Sequence, residues 1–113
     1  MSSLLIVAPT AALTASLRFV LEAEDHDVAA TTSVADARQV HGTFECTILD
    51  HHVLPEREEE DTIDFLKAHW PVVLLANSIQ HPLAKWSYRT LTKPLLGAAL
   101  SKAVREAVAD RSQ

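Results

Sequence analysis

The sequence contains three short runs of mostly apolar residues in which apolar and polar positions do not alternate. They are LLIV at 4–7, TIL at 47–49 and VVLL at 72–75. A strand with one face in water alternates between apolar and polar residues, whereas a strand covered on both faces is apolar throughout. The runs therefore predict central strands of a parallel sheet with helices on both faces. Weaker strands are predicted at 27–31, DVAAT, and at 89–92, RTLT.

The segments between these runs have helical periodicity. Large apolar residues recur every three or four positions over 13–21 and over 96–108, which predicts two long helices. Shorter helices are predicted over 34–40, after a serine cap, and over 58–69, whose acidic start suits the positive end of the helix dipole. The segment 78–88 has a central proline, which predicts a short or irregular helix.

Five strands alternating with five helices predict one α/β domain over 1–113. Right-handed crossovers turn such a series into a doubly wound sheet, and we expect the flavodoxin-like (βα)5 arrangement with strand order 2-1-3-4-5. In this architecture ligands bind at the carboxyl ends of the strands, near the point where the strand order reverses. The candidate site therefore lies where the central strands end.

Asp50 ends the third predicted strand, and His51 and His52 follow it directly. In the expected strand order, the residues that follow the other strands become neighbours of Asp50, and Lys93 is the obvious cationic partner among them. These neighbours are Ala8 and Pro9 after the first strand, Ala76, Asn77 and Ser78 after the fourth, and Thr92, Lys93 and Pro94 after the fifth.

Over nearly its whole length the chain resembles the receiver domain of bacterial two-component response regulators. TILDHHVLP resembles the third strand of that family with its phosphoacceptor aspartate, LTKPL resembles the Lys-Pro motif of the fifth strand, and PVVLLANS resembles the fourth strand. The resemblance implies that Asp50 is the candidate phosphoacceptor and that Lys93 contacts the phosphoryl oxygens. It also implies a cis peptide between Lys93 and Pro94, and a histidine kinase or another signalling protein as the partner.

The chain departs from the family pattern where the family binds Mg²⁺. Ala8 and Pro9 stand in place of the acidic pair, and neither offers a side-chain oxygen to a hard cation. Ala76 replaces the usual hydroxyl residue, so Asn77 or Ser78 would have to substitute for it. We therefore expect an atypical receiver-like domain, not an enzyme, with no firmly bound cofactor, weak Mg²⁺ binding and impaired phosphorylation.

Such a domain would act in phosphorelay signalling through protein–protein contacts. Family members bind partners through the fourth helix, fifth strand and fifth helix, which makes Trp86 and Tyr88 the interface candidates and this face the candidate surface for a homodimer. Two alternatives stay open. One is an ordinary response regulator phosphorylated on Asp50 by a histidine kinase; the other is a small-ligand-binding flavodoxin-like module, although the chain has no glycine-rich phosphate loop.

His51 and His52 invite either a metal or a phosphohistidine interpretation. A transition-metal site needs three or four convergent ligands, and adjacent residues rarely point at one ion, so we predict no metal site. We expect both rings to line the loop above the sheet. An imidazole beside Asp50 would make the site sensitive to pH near about 6.5.

Composition limits the partner and the compartment. A formal charge of −5 gives no general attraction to nucleic acid or to anionic lipid. Cys46 is the single cysteine, so no internal disulfide can form, and no run approaches the roughly 20 apolar residues of a membrane-spanning helix. We expect a cytoplasmic protein that contacts neither membrane nor nucleic acid.

Overall fold

The computed structural model describes residues 2–111 of the 113-residue chain. Within this range strands and helices alternate as the periodicity predicts. The strands are β1 Ser3–Val7, β2 Asp27–Thr31, β3 Cys46–Asp50, β4 Val72–Ala76 and β5 Arg89–Thr92; the α-helices are α1 Ala11–Glu22, α2 Val34–Ala37, α3 Glu60–Ala68 and α4 Gly97–Arg111; two 3-10 turns cover His51–Val53 and Ala84–Trp86.

The five strands form one parallel sheet in the order β2-β1-β3-β4-β5, which confirms the predicted flavodoxin-like topology. Every residue of β3 and β4 is buried, whereas the edge strands β2 and β5 are partly exposed. Val7 is level with Leu49, and Asp50 is level with Leu75. The three central strands therefore end together, and this shared edge positions the site.

The apolar runs are continuous because alternate residues of each strand enter two different cores. On one face, Leu4, Ile6 and Ile48 pack with α1 and α4. On the other face, Leu5 and Leu49 pack with α3 and the turn before β5. Burying each of these side chains contributes about 1.5–3 kcal/mol, so the two-sided core is the main stabilising feature.

The helices between β2 and β4 are shorter than predicted. α2 ends at Ala37 rather than at position 40, although Ser33 caps it as expected through a 3.0 Å bond from Asp36 N to Ser33 Oγ. The chain after Ala37 continues with the i→i+3 bonds of a tightening turn, such as Val40 N to the carbonyl oxygen of Ala37. α3 covers only Glu60–Ala68 of the predicted 58–69.

The predicted count of five helices is wrong for the described part of the chain, which has four. The segment 78–88 contains only the 3-10 turn at Ala84–Trp86, because Pro82 lacks the N–H that a longer helix needs there. In the described range, no helix combines the length and apolar character needed to span a bilayer.

Candidate functional site: a buried aspartate between a lysine and a histidine

Asp50 lies at the carboxyl end of β3 with no exposed surface. The chain leaves the strand through the 3-10 turn His51–Val53, and Asp50 caps this turn by accepting a 2.9 Å hydrogen bond from His52 N at Oδ1. Register places Ala8, also fully buried, beside Asp50 at the end of β1. The position level with Asp50 at the end of β1 thus has a methyl group as its side chain and no oxygen.

Both oxygens of the Asp50 carboxylate have a nitrogen partner. Lys93 Nζ lies 2.7 Å from Oδ2, and His52 Nδ1 lies 2.9 Å from Oδ1. The Lys93–Pro94 peptide is cis, as the resemblance implied. The predicted pairing of Asp50 with Lys93 therefore forms, and His52 completes the set.

These contacts decide the charge state of Asp50. Burial would raise the pKa of the carboxyl, but the hydrogen bonds from Lys93 and His52 outweigh it and hold the pKa of Asp50 below its usual range. Asp50 is therefore a carboxylate at neutral pH, and each of its oxygens acts only as an acceptor.

The hydrogen bonds of the candidate residues at the end of β4 and just after it go to groups other than the Asp50 carboxylate. Ala76 is buried at the strand end, and its carbonyl oxygen accepts a 3.0 Å bond from Lys93 N, which fixes the start of the Lys93 segment. Ser78 Oγ accepts a 3.0 Å bond from Gln80 N within the same loop. Asn77 is exposed beside it.

His51 and His52 have different environments although they are adjacent. His51 is 6% exposed, and its ring lies 4.0 Å from that of His52 and 5.8 Å from that of His81. Burial, followed by the neighbouring charge of His52, lowers the pKa of His51. Nε2 of His51 and Nε2 of His81 are buried without a hydrogen-bond partner among residues 2–111.

His51 and His81 border an open cleft of about 370 Å³ beside the site. Sequence reasoning did not single out His81, because its approach depends on the turn before β5 and no local pattern signals that turn. The cleft is lined by His51, Glu56, Asn77, Ser78, Gln80, His81 and Pro82.

The residues around Asp50 do not fit a magnesium ion. Mg²⁺ prefers several oxygen ligands in an octahedral shell, but Ala8 and Pro9 supply none, and both Asp50 oxygens face nitrogen donors. Asp50, His51 and His52 do carry donor atoms within 4.8 Å of one another. This mixed oxygen and nitrogen set has the chemistry of a transition-metal ligand rather than of a magnesium ligand.

The two interface candidates pack against opposite faces of the sheet, and both are partly buried. Trp86 Nε1 donates a 3.1 Å bond to Glu58 Oε1, and Lys67 Nζ lies 5.1 Å from the centre of the Trp86 ring. The Tyr88 hydroxyl donates to Asp110 on α4. These contacts fix the orientation of both aromatic side chains.

Several large apolar side chains outside the predicted interface are exposed. Leu96 was expected on the inner face of the last helix, but the helix begins at Gly97 and Leu96 is 69% exposed. Phe19 on α1 is 79% exposed, although α1 buries Leu17 and Leu21. The periodicity predicted which face of each helix is buried, but it did not predict that Leu96 and Phe19 would be exposed.

None of the known protein-family models matches the sequence, and no curated protein matches it. Solved structures do match the fold. A response regulator receiver domain protein from Clostridium thermocellum is 16% identical, with a TM-score of 0.79 over 99% of this chain and 98% of that one.

Two sensor-kinase domains are also similar. The receiver domain of a Pseudomonas aeruginosa sensor histidine kinase, solved with a magnesium ion coordinated in its active site cleft, is 13% identical with a TM-score of 0.77 over 96% of this chain and 98% of that one. The signal receiver domain of a Syntrophus aciditrophicus signal transduction histidine kinase is 18% identical with a TM-score of 0.78 over 97% and 92%. The chain therefore has the fold of the response regulator receiver domain.

Proposed function

We propose that this chain is an atypical receiver-like domain of bacterial two-component signal transduction, which acts through protein–protein contacts and in which Mg²⁺-dependent phosphorylation of Asp50 is impaired. The observation that carries the proposal is the environment of Asp50. Its oxygens contact Lys93 and His52, and its neighbour at the end of β1 is Ala8.

The chemistry of phosphoryl transfer explains why this environment matters. The reaction depends on positioning and on neutralising charge at the transferring oxygens, which a bound metal ordinarily supplies. Lys93 alone would have to leave the Asp50 oxygen at 2.7 Å in order to reach an incoming phosphoryl group. Lys93 would then be the single side-chain cation among residues 2–111 placed to neutralise the phosphoryl oxygens, without the metal that ordinarily shares this charge.

The proposed partner is a histidine kinase or another signalling protein, and the proposed compartment is the cytoplasm. The formal charge of −5 favours a protein partner over nucleic acid. The edge of the sheet at β5, between the 3-10 turn Ala84–Trp86 and α4, is the proposed docking face and the proposed homodimer face, with Trp86 and Tyr88 on its two sides. The domain is proposed to transmit signals by contact and not to act as an enzyme.

Beryllofluoride, which imitates a phosphoryl group on aspartate, tests the proposal. Amide signals are recorded by NMR for the chain with beryllofluoride and Mg²⁺, with Mg²⁺ alone, and for Asp50→Asn under both conditions. We expect no beryllofluoride-dependent shift at Asp50, Ala76 or Lys93. Shifts at these residues that saturate and disappear in Asp50→Asn would instead establish the ordinary response regulator alternative.

The small-ligand alternative has one observation in its favour, which is the cleft beside His51. Its two unpartnered imidazole nitrogens, on His51 and His81, could receive hydrogen bonds from a ligand or donate them to one. A thermal-shift screen with nucleotides and flavins tests this alternative. A rise in the melting temperature that His81→Phe abolishes would favour it, and an unchanged melting temperature with every compound would oppose it.

A further inference from the structure

His52 and Asp50 form a carboxylate–imidazole pair whose geometry is fixed from two directions. His52 Nδ1 lies 2.9 Å from Asp50 Oδ1, and the backbone N–H of His52 donates to the same oxygen at 2.9 Å. The side chain and the backbone of one residue therefore hold one buried oxygen. Lys93 holds the other oxygen, so the carboxylate cannot easily rotate away.

The ionised carboxylate determines the tautomer of His52. Because a carboxylate oxygen only accepts hydrogen bonds, the proton must be on Nδ1 of His52. In the neutral ring the lone pair is then on Nε2. Orientation of an imidazole by a buried carboxylate is the arrangement by which enzymes prepare the opposite ring nitrogen to act as a base or nucleophile.

The His52 ring is partly exposed to solvent. The side chain of His52 is 58% exposed, whereas that of Asp50 is fully buried. Since Nδ1 points at the buried carboxylate, the exposed part of the ring is the side away from it, which carries Nε2. The partly exposed ammonium of Lys93 is bound to the same carboxylate and lies where it could also donate hydrogen bonds to the oxygens of a phosphodonor.

We infer that His52 is a phosphoryl acceptor, modified on Nε2 by phosphodonors that carry a phosphorus–nitrogen bond. Nε2 attacks phosphorus and forms the new nitrogen–phosphorus bond. The donor's phosphorus–nitrogen bond breaks, and the amine leaves with the electron pair. The positive charge left on the ring is balanced by Asp50, which keeps its hydrogen bond to Nδ1–H.

This inference rests on the proposed function, because Asp50 acts here as the orienting group and not as the acceptor. The chemical stability of the adduct distinguishes phosphorylation of His52 from phosphorylation of Asp50. A phosphoramidate bond on histidine survives alkali and is lost in acid, whereas an acyl phosphate on aspartate is hydrolysed in both. The failure of one proposal is therefore distinguishable from the failure of the other.

The experiment treats the full chain with phosphoramidate in the presence of EDTA and follows adduct formation by intact mass, with fragmentation to locate the site. We expect a first adduct at His52 that is stable in alkali and forms about tenfold faster than any adduct at His41, an exposed histidine in another loop. His52→Gln should remove this fast adduct, and the matched control His41→Gln should retain it.

Asp50→Asn tests the orienting role. A neutral amide does not balance the ring charge and can present its NH₂ group to Nδ1, so we expect the rate at His52 to fall about tenfold. Equal rates at His52 and His41, an unchanged rate in Asp50→Asn, no fast adduct, or a fast adduct on Asp50 would each overturn the inference. Thermal unfolding of each variant verifies that it is folded under the reaction conditions.

Discussion

The two sides of Asp50 differ in what they present to the carboxylate. On the β5 side, Lys93 reaches Oδ2 at 2.7 Å from a segment that begins with a cis peptide to Pro94. On the β1 side, Ala8 is fully buried and Pro9 is exposed, and neither has a side-chain oxygen. One side therefore presents a cation to the carboxylate, and the other presents no side-chain oxygen that could bind a metal.

The difference separates residues that the fold itself needs from residues that only the chemistry needs. Lys93 neutralises a carboxylate with no exposed surface, so it stabilises the folded chain whether or not phosphorylation occurs. Carboxylates at positions 8 and 9 would instead repel Asp50 unless a cation were bound between them. Apolar residues at positions 8 and 9 avoid this repulsion, whereas replacing Lys93 would leave a buried charge without its partner.

The largest effect should come from Lys93→Ala. Losing one partner of a buried pair costs about 3–5 kcal/mol, and because Lys93 is partly exposed, water can enter the space it leaves, so we expect a loss of about 2–3 kcal/mol in the free energy of unfolding. Urea unfolding at pH 7 measures it. Lys102→Ala on the exposed side of α4 is the control and should change stability by less than about 0.5 kcal/mol. Equal losses in the two variants would contradict the structural role of Lys93.

Pro9→Asp should give the β1 side an oxygen ligand for Mg²⁺. Pro9 is exposed, so the new carboxylate can be hydrated, and together with Asp50 it offers Mg²⁺ two oxygen-bearing residues. We expect Mg²⁺ affinity to rise about tenfold, measured by amide shifts during titration. Thr10→Asp, one residue further along, is the positional control. If both variants gain the same affinity, general negative charge and not the site explains the result.

The sequence predicted the sheet almost completely, because burial on both faces leaves a continuous apolar signal. Runs such as LLIV and VVLL lie within β1 and β4, and the edge strands β2 and β5 have the predicted bounds. Register then brought Lys93 to Asp50 as expected. These features follow from strand order and from the position of each residue along its strand.

Other features of the site could not be predicted, because they depend on how a turn rotates side chains. Adjacency alone did not show that His52 would turn toward Asp50 while His51 turned into the protein, or that His81 would approach from another loop. The segment 78–88, predicted as a short or irregular helix, contains one 3-10 turn for a similar reason, since Pro82 signals a break but not how much of the segment remains helical. Side-chain direction in irregular segments is a tertiary property.

Acid should weaken the Asp50 contacts in a defined pH window. The pKa of Asp50 is lowered in the folded chain, so the stability it contributes is present above the ordinary aspartate pKa of about 3.9 and is lost as the pH falls through the lower folded value. We expect the stability difference between the wild type and Asp50→Asn to shrink below about pH 4. Urea unfolding between pH 3 and pH 7 measures it. A constant difference across this range would show that folding does not lower the pKa of Asp50.

The smallest effect should come from His51, which lies in the turn directly after Asp50. Burial lowers its pKa, so the neutral ring is favoured in the folded chain, and the stability it contributes is complete above the ordinary histidine pKa of about 6.5 and declines as the pH falls below it. His51→Gln should therefore flatten the stability profile between about pH 5 and pH 7, whereas His41→Gln at an exposed position should leave its slope unchanged. Unfolding free energies at closely spaced pH values measure the two slopes. If His51→Gln keeps the wild-type slope, the proton is taken up elsewhere, and the exposed ring of His52 becomes the next residue to titrate by NMR.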